Sequence, residues 1–226
     1  MGLFDFLKPR TAPAPAPQPI KPTPPDVQIH NAPIVPSNIN VIKQDCFVLH
    51  FETTGIFAPG DPNSKYTNQI TAIKCIRVKD CQVFNTLFTY VNPCRSIPDD
   101  ATKASGINAQ TVAGAPTIDQ VFPTFCDFIQ DAITDHTLIL CYNAEFNGDF
   151  LKTTMRRFFA PGDFRLFDVM KLADKKLRMS DYPTLKQAMK VMKIKDRELN
   201  TDIHKCTAIY NLALALVDVP DNSVEV

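Results

Sequence analysis

The stretch Cys46-Phe-Val-Leu-His-Phe-Glu-Thr-Thr-Gly55 is the part of the sequence that decides the fold. Its apolar and aromatic residues form a short run that Thr-Thr-Gly closes, which predicts a buried strand ending in a tight turn. His50 and Glu52 lie two residues apart and therefore on the same face of that strand. Because a buried strand seldom carries polar side chains, the pair indicates a functional site. Two polar residues at a wet edge of the sheet are the alternative.

Further motifs follow this strand in a fixed order. They are Val91-Asn92-Pro93, Ile97-Pro98, Gly106-Ile107 and Ala115-Pro116-Thr117; then Asn143-Ala144-Glu145-Phe146-Asn147 with Phe150-Leu151; then Cys206-Thr207-Ala208 with Tyr210 and Leu212. Over residues 46–217 the series resembles the DnaQ-like, or DEDDh, 3′–5′ exonucleases, the family of the DNA polymerase III epsilon subunit and RNase T. The resemblance implies an α/β, RNase H-like fold in which helices flank a mixed five-stranded sheet.

Local patterns predict the same kind of architecture. A hairpin is expected over residues 69–78 and 82–91, and a capping box of Thr117 and Gln120 opens a helix. A strand over 137–141 then alternates with helices near 145–159, 168–178, 184–193 and 201–217, around a short strand near 164–167. Strands that first meander and then alternate with helices are typical of a mixed sheet covered by helices.

The resemblance also implies a catalytic site, and this chain departs from it. The family uses four carboxylates and a histidine to hold two divalent ions, Mg²⁺ or Mn²⁺. The first Asp of the family falls on His50, while the Glu is retained as Glu52. The other three positions hold Asn147, Ile203 and, in place of the general-base histidine, Glu198. One carboxylate cannot offset the repulsion between two dications, so the sequence predicts weak metal binding or none, and impaired catalysis.

Other residues are candidates to restore or replace that chemistry. A single metal held by Glu52 with His50 and Asp202 is one alternative, although Asp202 lies one helical position, about 100°, away from the family position. Asp149 and His204 are further candidates, as a ligand and a base. The family resemblance places Thr53, Thr54, Gly55 and Asn143 at a nucleic-acid 3′ end. The basic stretch 171–205 is expected either to contact phosphates or to form solvated helix faces.

Composition limits the function classes. Of the 226 residues, 45% are hydrophobic, which is enough for one sizeable core. The formal net charge is zero, so the overall charge does not favour binding to nucleic acid. The seven cysteines form no CxxC pair, and no secretory signal is visible, which favours a reducing cytoplasm. No apolar run is long enough to span a bilayer.

Four segments are expected. Residues 1–8 are a short apolar segment, 9–40 a proline-rich disordered linker, 41–218 the exonuclease-like domain and 219–226 a tail. The N-terminal segment or the proline-rich arm is a candidate site for a protein partner. The leading hypothesis is an exonuclease-like domain with impaired catalysis that binds a nucleic-acid end or a partner. An active exonuclease with an altered ligand set and a protein-interaction module without nucleic-acid binding are the alternatives.

Overall fold

One mixed sheet forms the centre of the structure. The computed structural model describes residues 23–56, 68–179, 182–195 and 202–219. Within these ranges the strands are β1 (Val27–Asn31), β2 (Asp45–Thr53), β3 (Ile70–Lys79), β4 (Gln82–Tyr90), β5 (Ile139–Cys141) and β6 (Gly162–Asp168). Their spatial order is β1-β6-β5-β2-β3-β4. The pairs β1–β6, β6–β5 and β5–β2 are parallel, whereas β2–β3 and β3–β4 are antiparallel.

Helices cover both faces of this sheet. They are α1 (Pro36–Gln44), α2 (Asp99–Ser105), α3 (Ala109–Val112), α4 (Ile118–Phe128), α5 (Gln130–Thr134), α6 (Ala144–Arg157), α7 (Val169–Leu177), α8 (Leu185–Val191) and α9 (His204–Val217). One apolar core lies between the sheet and α4, α5 and α6. A second lies between the sheet and α1, α7, α8 and α9. Alternation along β2 sends Phe47 and Leu49 to the first core and Cys46 and Val48 to the second.

The local predictions agree with most of these elements. The hairpin is confirmed as β3 and β4, and the Thr117 backbone N–H donates to Gln120 Oε1 at 2.9 Å, as the capping box predicts. The sheet has six described strands instead of five. The extra strand is β1, which pairs with β6 and buries Val27 completely.

The predicted end of the disordered linker, at residue 40, is therefore wrong. Strand β1 and the first part of α1 lie within residues 9–40 and belong to the folded domain. Gly148 of α6 allows close packing there, because a Cβ at this glycine would lie 3.2 Å from Ile29 Cγ2. The predicted apolar segment 1–8, the linker up to residue 22 and the tail beyond Val219 lie outside the described residues. Among the described residues, no helix is long and apolar enough to cross a membrane.

Candidate active site

The site suggested by the sequence lies at the carboxyl end of β2. His50 and Glu52 are on the face that carries Val48, so both point towards α9, which packs against β2 and β3. The pairing register of β2 with β3 slips between Glu52 and Thr53. Such an irregularity bends a strand and re-aims its side chains, and it is common beside functional sites. Both side chains are nearly buried, with 8% of His50 and 6% of Glu52 exposed.

Two lysines surround the Glu52 carboxylate. Lys74 Nζ lies 3.1 Å and Lys205 Nζ lies 3.0 Å from Glu52 Oε1. Lys74 is opposite His50 on β3, and Lys205 is in the first turn of α9. The Lys74 side chain is completely buried, whereas 19% of the Lys205 side chain is exposed. Glu52 therefore acts as the counterion of two ammonium groups.

These neighbours decide the ionisation of Glu52. Burial alone raises the pKa of a carboxyl group, but the contacts with His50, Lys205 and Lys74 outweigh burial and hold the pKa of Glu52 well below its usual range. Glu52 is consequently ionised at neutral pH, and the two ammonium groups keep it so.

His50 is neutral at the same pH. Burial, reinforced by the positive charge of Lys205, lowers the pKa of His50 to about 4, although Glu52 opposes the shift. His50 Nε2 lies 3.3 Å from Glu52 Oε1, yet neither ring nitrogen makes a well-aligned hydrogen bond to a described residue. The site thus contains a buried imidazole with unused hydrogen-bonding capacity.

Asn147, the second family position, is engaged with the backbone. Its side chain is fully buried in α6. The Phe51 backbone N–H donates to Asn147 Oδ1 at 3.0 Å, and Asn147 Nδ2 donates to the carbonyls of Asn143 at 2.9 Å and Tyr142 at 3.3 Å. An ionised aspartate cannot donate to those two carbonyls. The amide therefore ties β2 to the start of α6 and is unavailable to a metal.

The remaining candidates are not among the described partners of Glu52 or lie outside the described residues. Ile203 is half-buried against the core beneath α9. Asp202 and Asp149 are exposed, and His204 lines a separate cavity between α8 and α9. Glu198 lies outside the described residues. The structure thus brings together His50 and Glu52, and it does not bring Asp202 to them.

The predicted nucleic-acid contacts divide into two groups. Thr53 and Gly55 line a cleft beside Glu52. Thr54 is buried and structural, because its hydroxyl accepts the Gln69 N–H at 3.0 Å and its own N–H donates to the Gln69 carbonyl at 2.9 Å. Asn143 caps α6 by accepting the Phe146 N–H at 3.1 Å. A nucleic-acid role for these residues stays a prediction.

The cleft itself has a volume of about 180 Å³. His50, Glu52 and Lys205 form its inner polar end. The rest is lined by the end of β2 and the turn after it and by α2 and α6, which contribute the apolar side chains of Ala101, Ala104 and Phe146. Asp100 lies on the exposed rim. A concave apolar wall with a few converging polar groups is the usual form of a ligand site.

A match to a family model decides the family. The sequence model of the RNase T-type family, which is described as exonuclease, matches residues 47–206 of this chain. The chain belongs to this exonuclease family. It is also 28% identical over 132 residues to the PolC-type DNA polymerase III of Caldanaerobacter subterraneus subsp. tengcongensis, a match that covers 58% of this chain and 9% of that protein. The chain thus corresponds to a small part of such a relative.

Solved structures of exonucleases share the fold. The nuclease domain of 3′hExo, a DEDDh family member bound to rAMP, superposes with a TM-score of 0.59 at 13% identity, covering 77% of this chain and 92% of that domain. Exonuclease X in complex with 5′ overhanging duplex DNA gives 0.52 at 21% identity, with 79% and 92% covered. The RNase H-like DEDDh fold expected from the sequence is confirmed.

Exonucleases of this family generally use divalent metal ions, and the residues at this site do not fit a pair of such ions. Mg²⁺ and Mn²⁺ prefer several oxygen ligands. Here one carboxylate is paired with two ammonium groups, and the amide of Asn147 is bonded to the backbone. Among the described residues, no group of three or more His, Cys, Asp or Glu side chains is arranged to hold a metal.

The two lysines are the site residues that sequence reasoning missed. Lys74 lies in the predicted hairpin strand 69–78, to which the sequence assigns no site residue, and Lys205 lies in the basic stretch 171–205. A signal for Lys74 was available, since it shares a strand face with Ile76 and Val78, where a charged side chain needs a buried partner. No local signal marks Lys205, because its partner is 153 positions away.

Proposed function

We propose that this exonuclease-family domain has lost most or all of its phosphodiester hydrolysis and binds a nucleic-acid 3′ end in the cleft beside Glu52. The observation that carries the proposal is the pairing of Glu52 with Lys74 and Lys205. A carboxylate that neutralises two ammonium groups has little negative charge left to attract a dication.

Two observations support binding at the same place. The cleft persists beside the altered residues, with Thr53 and Gly55 on its wall. The structural neighbours bound to rAMP and to DNA share this fold.

A nuclease assay tests the loss of catalysis. The full chain is incubated with 5′-labelled single-stranded DNA or RNA in the presence of Mg²⁺ or Mn²⁺, alongside the Glu52→Gln variant and the control Asp127→Asn, which changes an exposed carboxylate on α4. We expect no shortening from the 3′ end by any of the three proteins. Shortening that Glu52→Gln abolishes and Asp127→Asn retains, at a temperature where circular dichroism shows both variants folded, would overturn the proposal and show an active exonuclease with an altered ligand set.

A protein-interaction module without nucleic-acid binding is the second candidate. Strand β4 favours it, because this nine-residue strand lies at the edge of the described sheet and contains no charged residue. Val83 and Phe84 on it are 42% and 67% exposed. Natural edge strands usually carry charges or proline that prevent pairing with other chains. Phosphate contacts make affinity fall steeply with salt, so this candidate predicts no salt-dependent binding of oligonucleotides.

A further inference from the structure

We infer that Lys205, supported by Lys74 and His50, binds the phosphate group of a nucleotide directly, so that ligand binding in this cleft requires no divalent metal ion. The inference rests on the proposed function, in which the cleft takes a nucleic-acid end. It adds the chemistry by which the ligand is held.

The charge at the inner end of the cleft favours an anion. Lys74 and Lys205 carry two positive charges, Glu52 carries one negative charge, and His50 is neutral at pH 7. The four side chains together hold one excess positive charge. Asp100, the other carboxylate on the cleft wall, is exposed at the rim, where water screens it.

Hydrogen-bonding capacity points the same way. An ammonium group has three N–H donors, and the Glu52 contact of Lys205 uses one of them. Of the two lysines, Lys205 is the one that a ligand in the cleft can contact. Its side chain lines the cleft wall and is 19% exposed. Phosphate oxygens are strong acceptors for charged donors.

His50 supplies an independent observation. Only 8% of this residue is exposed, it lines the cleft, and its two ring nitrogens lack hydrogen-bond partners among the described residues. Both nitrogens are also shielded from solvent in the cleft, so a ligand reaches them only when the ring turns towards it. Such a turn is favoured because a buried polar group without a partner costs free energy. The neutral imidazole offers one N–H donor to a phosphate oxygen.

Lys74 has a supporting role in this arrangement. Because Lys74 is completely buried and lies 3.1 Å from Glu52 Oε1, it shares the negative charge of Glu52 with Lys205. Lys205 is thereby left with part of its positive charge available for a ligand. The ammonium groups thus take over the electrostatic role that metal ions have in the metal-dependent exonucleases.

The test is fluorescence anisotropy of a 5′-labelled single-stranded DNA oligonucleotide with the full chain, in excess EDTA and in Mg²⁺. We expect dissociation constants that agree within about twofold, since no metal bridges the ligand. Lys205→Met should weaken binding by about tenfold or more, because a hydrogen bond to a charged group is lost, and Lys205→Arg should restore most of it.

The control variant is Lys43→Met. Lys43 precedes β2, at the end of the strand opposite Glu52, and forms a surface ion pair with Asp218 at 3.5 Å. The Lys43→Met substitution removes the same charge far from the cleft. Only the long-range electrostatic attraction of the oligonucleotide is then reduced, so the dissociation constant should change by less than about threefold. Adenosine monophosphate should compete with the oligonucleotide, whereas adenosine should not.

The outcomes separate the two proposals. Binding that EDTA abolishes, or equal effects of Lys205→Met and Lys43→Met, would overturn the inference and leave end binding intact. If no oligonucleotide binds under either condition, end binding fails, and the inference is then decided on adenosine monophosphate by calorimetry. In that case, absence of heat with the wild-type protein, or equal affinity of wild type and Lys205→Met, would overturn it.

Discussion

Lys74 Nζ lies 3.1 Å from Glu52 Oε1 in a part of the molecule where the Lys74 side chain has no exposure to solvent. Taking a charge out of water costs several kcal/mol unless a partner compensates it. The one acidic residue retained from the family pattern is therefore required by the fold, as the counterion of a lysine on the neighbouring strand. Retention of Glu52 thus gives no support to retained catalysis.

Glu52→Gln should destabilise the protein. The substitution leaves two ammonium groups without their common counterion, and breaking a buried ion pair by removing one partner costs about 3–5 kcal/mol. Urea denaturation at pH 7 measures the free energy of unfolding. The control Asp100→Asn changes an exposed carboxylate of the same cleft and should stay within about 0.5 kcal/mol. A loss as small as that in Glu52→Gln would contradict the counterion role.

The stability of the protein should fall with mild acid because of His50. The pKa of His50 is about 4 in the folded protein and 6.5 in the absence of the fold. As the pH falls, the unfolded chain takes up the proton first, so the free energy of unfolding decreases between these two values. At about 1.4 kcal/mol per pH unit, the loss from pH 6.5 to pH 5 is about 2 kcal/mol.

His50→Gln should remove this component of the pH dependence, because glutamine does not titrate. Denaturation curves at pH 7 and pH 5 provide the comparison, and His30→Gln, which changes an exposed histidine paired with Asp163, is the control. The low pKa of Glu52 adds a separate loss, which begins below its unfolded pKa of about 4.3. Equal slopes for wild type and His50→Gln would show that the fold does not lower the pKa of His50.

Restoring the family aspartate at position 147 should harm the fold. In Asn147→Asp the two carbonyls that accept from Asn147 Nδ2 would face a carboxylate oxygen, and we expect a loss of about 2–3 kcal/mol in the free energy of unfolding. Asn108→Asp is a matched control, because Asn108 is an exposed N-cap of α3, where aspartate is equally suitable. Addition of Mn²⁺ should not recover the loss. Thermal unfolding with and without the metal checks both expectations.

Thr54 should prove structural, in contrast to its neighbour on the cleft wall. Thr54→Val leaves the Gln69 N–H without its acceptor and should cost about 1–3 kcal/mol of stability. Thr53→Val, at the more exposed position that lines the cleft, should change oligonucleotide affinity more than stability. Paired denaturation and anisotropy measurements would refute this division of roles if the two variants behaved alike.

Much of the architecture followed from local sequence. The apolar run before Thr53, the hairpin over β3 and β4 and the capping box at Thr117 each depend on neighbours close in the chain, and all three are present. Strand β1 escaped prediction because its five residues lie within a proline-rich segment. They become a strand only when β6 offers a free edge.

The sequence by itself determined the exonuclease fold and the change at four of the five family positions, because motif order and residue identity are properties of the chain. Only the tertiary structure decided what replaced the lost chemistry. Lys74 and Lys205 are 22 and 153 positions from Glu52, and they meet it because β3 pairs with β2 and α9 packs across both strands. Contacts of this kind depend on packing, which periodicity and spacing do not specify.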